Sequence, residues 1–136
     1  MVAVYPMWAT LFAPYSESFE TVTFPGVDYD VDNINGNTWA QTSNAASSGT
    51  KSIYINNFGG NTASDVFITP SYSFFNVSAV SVRFKLAFQR RNTASTDQLQ
   101  AFSSTNCGSN WVARYNKTEA RRLIFLFYKI HINKLE

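Results

Sequence analysis

From Val80 to Phe88 the chain keeps a two-residue rhythm, with Val80, Val82, Phe84, Leu86 and Phe88 alternating with Ser81, Arg83, Lys85 and Ala87. Successive side chains of an extended strand point to opposite faces, so this rhythm predicts a strand with one buried and one wet face. Ile53-Tyr54-Ile55 and Val66-Phe67-Ile68-Thr69 are short β-branched and aromatic runs bounded by Asn, Gly, Ser or Pro, and both read as core strands. Leu99–Ser103 and Trp111–Tyr115 flank a Cys-Gly-Ser-Asn turn and read as a hairpin. The polar stretch from Asn33 to Ser52 reads as loop around one short strand at Thr38–Gln41. No segment shows a helical period. Many short strands separated by polar turns predict an all-β fold, an antiparallel β-sandwich whose two sheets enclose alternate side chains.

A chain of 136 residues that is 45% hydrophobic can bury one core, so one domain is expected. The formal net charge of +2 does not describe that domain. Up to Asn116 six bases face seven acids, and the excess comes from the tail, where five bases face two acids. Nucleic-acid binding through Arg90, Arg91 and the basic tail is therefore the weakest of three functional readings, because such a footprint lies across a folded face. The single cysteine, Cys107, excludes an internal disulfide framework and a cysteine-rich zinc site. The opening residues contain Pro6 and Pro14, lack a positively charged start and a small-residue cleavage pattern, and read as a lead-in or linker over residues 1–16. The longest apolar run, Leu123–Tyr128, is far too short to span a bilayer.

Catalysis lacks its usual parts. The only histidine, His131, lies in the tail, so the body holds neither a Ser-His-Asp set nor an H-E-x-x-H zinc motif. Glu17 and Glu20 sit too close on one expected strand, pointing to opposite faces, to act across a glycosidic bond. No enzyme is expected. The acidic run Asp28–Asn33 imitates a calcium loop, but Asn33 stands where glycine is required and Trp39 where glutamate is required. It reads as a solvated turn.

Five landmarks occur in a fixed order. Glu17, Phe19 and Glu20 form an E-x-F-E element followed by Phe24-Pro25-Gly26. Gly36-Asn37-Thr38-Trp39 comes next, then Ser52–Phe58, then Asp65–Pro70, and finally Asp97 and Leu99 ahead of Cys107, Gly108 and Trp111. In this order the chain resembles the bacterial cleaved-adhesin and choice-of-anchor J family, distant relatives of MAM domains, over residues 17–117. The resemblance implies a jelly-roll-like sandwich serving as a non-catalytic adhesion or substrate-targeting module of a secreted bacterial protein. It would sit beside neighbouring domains and contact a glycan or an extracellular protein surface. The likeness stops at residues 118–136, a divergent tail. Either its apolar residues Leu123–Tyr128, Ile130 and Ile132 supply a substitute strand, or the sheet is left open at one edge.

Relatives of this fold often hold a structural calcium ion, and the matched positions Glu20, Asp65 and Asp97, with Asn57 as an amide donor, are the candidates here. Calcium needs six to eight oxygens, so these dispersed groups would have to converge. A spacer domain stabilised by calcium, with no ligand of its own, is the second functional reading. Trp39, Tyr54, Phe58 and Tyr72 flank polar loops and are the candidates for an aromatic sugar-binding platform. Most aromatic residues of a small sandwich fill its core, which is the competing assignment for each of them. Asn76-Val77-Ser78 and Asn116-Lys117-Thr118 fit the N-glycosylation pattern, which matters in a secretory eukaryote.

Overall fold

The computed structural model describes residues 10–32, 38–56, 64–87 and 98–118, together with the backbone of 125–135. The chain is all-β: the described residues form strands and turns and no helix. In chain order the strands are β1 (Leu11–Phe12), β2 (Tyr15–Glu17), β3 (Asp30–Asp32), β4 (Ala40–Thr42), β5 (Ser52–Ile55) and β6 (Val66–Ile68). They continue with β7 (Tyr72–Ser73), β8 (Ala79–Ala87), β9 (Gln98–Ser103), β10 (Val112–Thr118) and β11 (Phe125–Leu135).

The divergent tail supplies the centre of the largest sheet. A strand has two hydrogen-bonding edges. Along one edge of β11 runs β8, antiparallel from Leu126↔Ala87 to Leu135↔Ala79. The other edge is shared end to end: β5 pairs with Phe125–Phe127, and β2 pairs with Ile130–Ile132. The register against β8 shifts between Phe127 and Ile130, at the point where β5 gives way to β2. β4 completes this five-stranded sheet by pairing antiparallel with β5. Of the two outcomes open for the tail, the backbone takes the substitute strand. The described residues also form three two-stranded ladders: β9–β10 and β3–β6 are antiparallel, and β1–β7 is parallel.

One core joins these pieces. Ile53 is fully buried, with Ile55, Phe19, Trp39 and Leu99 around it, and Phe24, Val31, Phe67, Phe84, Leu86 and Tyr115 pack against them. The period-two rule selects these residues: in β5, Ile53 and Ile55 face inward and Tyr54 between them faces the other way, half-buried. Phe67 of β6 gathers four rings, stacking on Phe24 and Tyr29 and meeting Phe19 and Trp39 at steeper angles. Phe84 of β8 meets Tyr115 of β10 edge to face at 5.3 Å, which brings the β9–β10 ladder over the sheet.

Several expectations need correction. The strand at Thr38–Gln41 lies at Ala40–Thr42, and β6 is only half-buried: Val66 is exposed, Phe67 and Ile68 are half-buried, and Phe67 packs against the core. The alternation of β8 holds for Arg83, Phe84, Lys85 and Leu86, yet Val82 is exposed, while Phe84 two residues on is covered by Tyr115 of β10. Phe88 lies outside the described residues. The Asp28–Asn33 run is not a solvated turn throughout, for Asp30–Asp32 forms β3 against β6. The E-x-F-E element is a strand only as far as Glu17. Phe19 turns left-handed, with φ at 60°, a conformation rare for a side chain of its size. Its N–H donates to Glu17 Oε1 at 2.5 Å and its carbonyl accepts from Gln41 Nε2 at 2.6 Å. Glu17 and Glu20 are therefore not successive positions of one strand.

A chain ended after Thr118 leaves β2 and β8 without the sheet partner that each has among the described residues. The expected outcome is loss of the cooperative melt in circular dichroism and a shift to aggregates in size-exclusion chromatography. A truncated chain that melts like the full one would show that β11 is dispensable.

Candidate functional site

The aromatic candidates separate by burial. Trp39 is a core residue, 6% exposed, and its Nε1–H donates to the Asp65 carbonyl at 3.2 Å, which removes it from any surface platform. Tyr54 is half-buried within β5, opposite Ala40 on one side and Leu126 on the other. Tyr72 lies in a row of rings, 5.3 Å from Tyr15 and 6.4 Å from the nearly parallel Phe74. Burial holds the Tyr72 hydroxyl well above the usual phenol range, with the charge of Tyr15 adding to the effect. Phe58 lies outside the described residues. Among the described three, Trp39 belongs to the core, Tyr54 to the middle of the large sheet and Tyr72 to a separate row of rings.

Of the calcium candidates, Glu20 and Asp65 are among the described residues. Glu20 is fully engaged by the turn before β5: Oε1 accepts from the backbone N–H groups of Thr50 and Lys51 at 3.0 and 2.9 Å, and Oε2 accepts from the Thr50 hydroxyl at 2.8 Å. The Thr50 hydroxyl first, then the Lys51 amide, hold this carboxyl below its ordinary pKa. Asp65 lies just ahead of β6, its Oδ1 shielded from solvent. Asn57 and Asp97 lie outside the described residues, as do Arg90 and Arg91. Among the described residues no three His, Cys, Asp or Glu side chains form a group able to hold a metal ion.

Glu17, not weighed as a ligand, has a structural part of its own. Its Oε2 accepts from the hydroxyls of Tyr29 at 2.8 Å and Tyr15 at 3.1 Å, tying the end of β2 to the approach to β3. The two phenol oxygens also hydrogen-bond each other at 2.9 Å, and burial, then this bond, then the bond to Glu17 push the Tyr29 phenol far above its ordinary range, so it serves as a neutral donor.

The surface best suited to a ligand is the outer face of the β9–β10 hairpin. Alternation puts Leu99, buried in the core, and Ala101 on the inner face, and Gln98, Gln100 and Phe102 on the outer one. Phe102 pairs across the ladder with Ala113, and Trp111 precedes β10 by one residue at the same end. Phe102 is 48% and Trp111 47% exposed, so two large rings at the loop end of one hairpin stay in water. The connecting loop is braced by its own groups. Ser104 Oγ accepts from the Gly108 N–H at 2.8 Å, Asn106 Oδ1 accepts from the Asn110 N–H at 2.9 Å, and the Ser109 N–H reaches the Asn106 carbonyl at 3.1 Å. Cys107 and Gly108 are both left-handed, which the tight reversal requires. At the bulge between Ala113 and Tyr115, Arg114 Nε donates to Ser103 Oγ at 2.8 Å. Gln98, Gln100 and Phe102 thus share one face of the ladder, with the exposed Trp111 at its loop end. The signal was present in the sequence, because Gln98, Gln100 and Phe102 alternate with Leu99 and Ala101.

Glu20 and Gly49 give a direct test of the turn that holds β5 in place. Gly49 is left-handed at φ 72°, and a methyl there would stand 2.8 Å from Glu20 Cδ, so Gly49→Ala is expected to cost about 1–3 kcal/mol in chemical denaturation. The folded-state pKa of Glu20 lies below its ordinary 4.5, so its contribution is present above that value and is lost as pH falls through the lowered one. Glu20→Gln should therefore lower the melting temperature near neutrality and reduce its fall between about pH 5 and about pH 3. Parallel melting curves over that range would show the clasp to be inert.

No protein-family model matches this chain, and neither a curated protein nor a solved structure matches it.

Proposed function

We propose that this chain is a non-catalytic glycan-binding module of an extracellular protein, and that the outer face of β9–β10 is its contact surface. The observation that carries the reading is the pairing of two half-exposed rings, Phe102 and Trp111, with the amides of Gln98 and Gln100 on a braced hairpin. Flat rings accept the C–H face of a pyranose at small entropic cost, and neighbouring amides offer donors and acceptors to its hydroxyls. An ordered loop loses little freedom on binding. The fold fits the same reading. On this reading the five-stranded sheet is one layer of a jelly-roll-like sandwich and the β3–β6 and β9–β10 ladders are the other, which is supported by Phe67, Leu99 and Tyr115 belonging to the same apolar cluster as Ile53 and Phe84. In the cleaved-adhesin family that the sequence landmarks resemble, such modules serve adhesion or direct a neighbouring domain to its substrate. Trp111 is itself one of those landmarks.

Titration of the purified chain against a panel of soluble polysaccharides, followed by calorimetry, tests the reading. One member should bind saturably, and Trp111→Ala and Phe102→Ala should each weaken it by about tenfold or more, the scale of a ring lost from the centre of an interface. Neither ring belongs to the core, so both variants should melt near the wild-type temperature. Undiminished binding in both would remove this face as the site. Binding to none of the panel would remove the ligand class.

A further inference from the structure

The β9–β10 hairpin carries a charge pattern that its rings and amides do not explain. Between Gln98 and Thr118 the chain holds two bases, Arg114 and Lys117, and no acid, although the first 116 residues together hold seven acids against six bases. A surface bordered by one sign of charge draws in ligands of the other sign. Arg114 stands at the bulge of β10, between Ala113, which pairs with Phe102, and Tyr115, which pairs with Ala101. A bulge takes one residue out of the ladder and re-aims its side chain. Here the exposed arginine reaches toward the loop end, where Nε donates to Ser103 Oγ at 2.8 Å. Ser103 is the chain neighbour of Phe102 and the ladder partner of Val112, which follows Trp111. The bond to Nε orients the planar guanidinium and leaves its four Nη hydrogens for other acceptors. Among the described residues Arg114 pairs with no carboxylate.

We infer that the ligand of this face is an acidic polysaccharide built on uronic acids, with a pyranose ring against Phe102 and Trp111 and its carboxylate on the Arg114 guanidinium. A uronate ring carries both groups that the loop end of the hairpin is equipped to bind, an apolar C–H face and a carboxylate at C5. The arginine fork matches the two carboxylate oxygens, and a charge-assisted pair of this kind is stronger than a hydrogen bond between neutral groups. A neutral hexose offers the guanidinium hydroxyls alone. The amides of Gln98 and Gln100, farther along the outer row, then meet hydroxyls of the next sugar. This assignment rests on the reading of the β9–β10 face as the glycan site and adds the chemical class of the glycan.

Calorimetric titration of the full chain with polygalacturonate, alginate and hyaluronate, each beside its own methyl ester, tests it, with dextran sulfate as a charge control. At least one uronate polymer should bind saturably, and esterification should weaken it by about tenfold, the scale of a lost hydrogen bond to a charged group. Added salt should weaken the acid form more than the ester. Arg114→Gln, which keeps a donor for Ser103, should bring acid and ester to the same affinity. Arg114→Lys, which keeps the charge without the fork, should restore only part of the difference. The comparison of acid with ester on the wild-type chain decides the matter even where a variant fails to fold. Equal affinity for acid and ester, or binding to none of the three polymers, overturns the uronate assignment, and the neutral polysaccharides of the panel then decide the β9–β10 reading by themselves. Dextran sulfate bound as tightly, with no loss in Trp111→Ala, would reveal unspecific attraction of polyanions and overturns it as well.

Discussion

The backbone pairing of β11 is the constraint on which the remaining architecture depends. A central strand satisfies the hydrogen-bonding groups on both of its edges, and here it satisfies those of three neighbours at once: β8 along one side, β5 and β2 in tandem on the other. The three come from widely separated parts of the chain, so their relative placement cannot arise from local turns. It arises from a shared partner. The register shift between Phe127 and Ile130 is where one long strand serves two short ones.

Sheet pairing sets the frame, and the core sets which face of each strand turns inward. Ile53 and Ile55 on β5, Phe84 and Leu86 on β8, Leu99 on β9 and Tyr115 on β10 all belong to one apolar cluster. Trp39 and Phe67 extend it toward the β3–β6 ladder, with the indole N–H satisfied by the Asp65 carbonyl instead of left bare in an apolar setting. Phe19 reaches this cluster only because its backbone leaves the extended region. Glu17 and Gln41 hold its amide and carbonyl in that conformation, so two polar side chains stabilise the burial of one ring.

The same logic separates structural polar groups from those available to a ligand. Glu17 and Glu20 look alike in sequence, and both are consumed internally, the first by two phenols and an amide, the second by the Thr50–Lys51 turn. The amides of Gln98 and Gln100 and the rings of Phe102 and Trp111 are exposed, on a hairpin whose inner face is already committed to the core. Burial of one face is what leaves the other free for contact.

Local pattern determined the strand over Val80–Ala87, the one at Ile53–Ile55 and the β9–β10 hairpin, because period two, β-branching and turn residues act within a few positions along the chain. The same pattern contained the outer row of Gln98, Gln100 and Phe102. It did not contain β1, β3 or β7, two- and three-residue strands held by partners instead of by propensity, nor the role of the tail. Composition made Trp39 and Tyr72 look equivalent, whereas packing buried one among Phe67 and Asp65 and set the other in a row with Tyr15 and Phe74. Which strands become neighbours, and which aromatic face stays in water, depends on contacts between residues far apart in sequence, and only the tertiary structure brings those residues together.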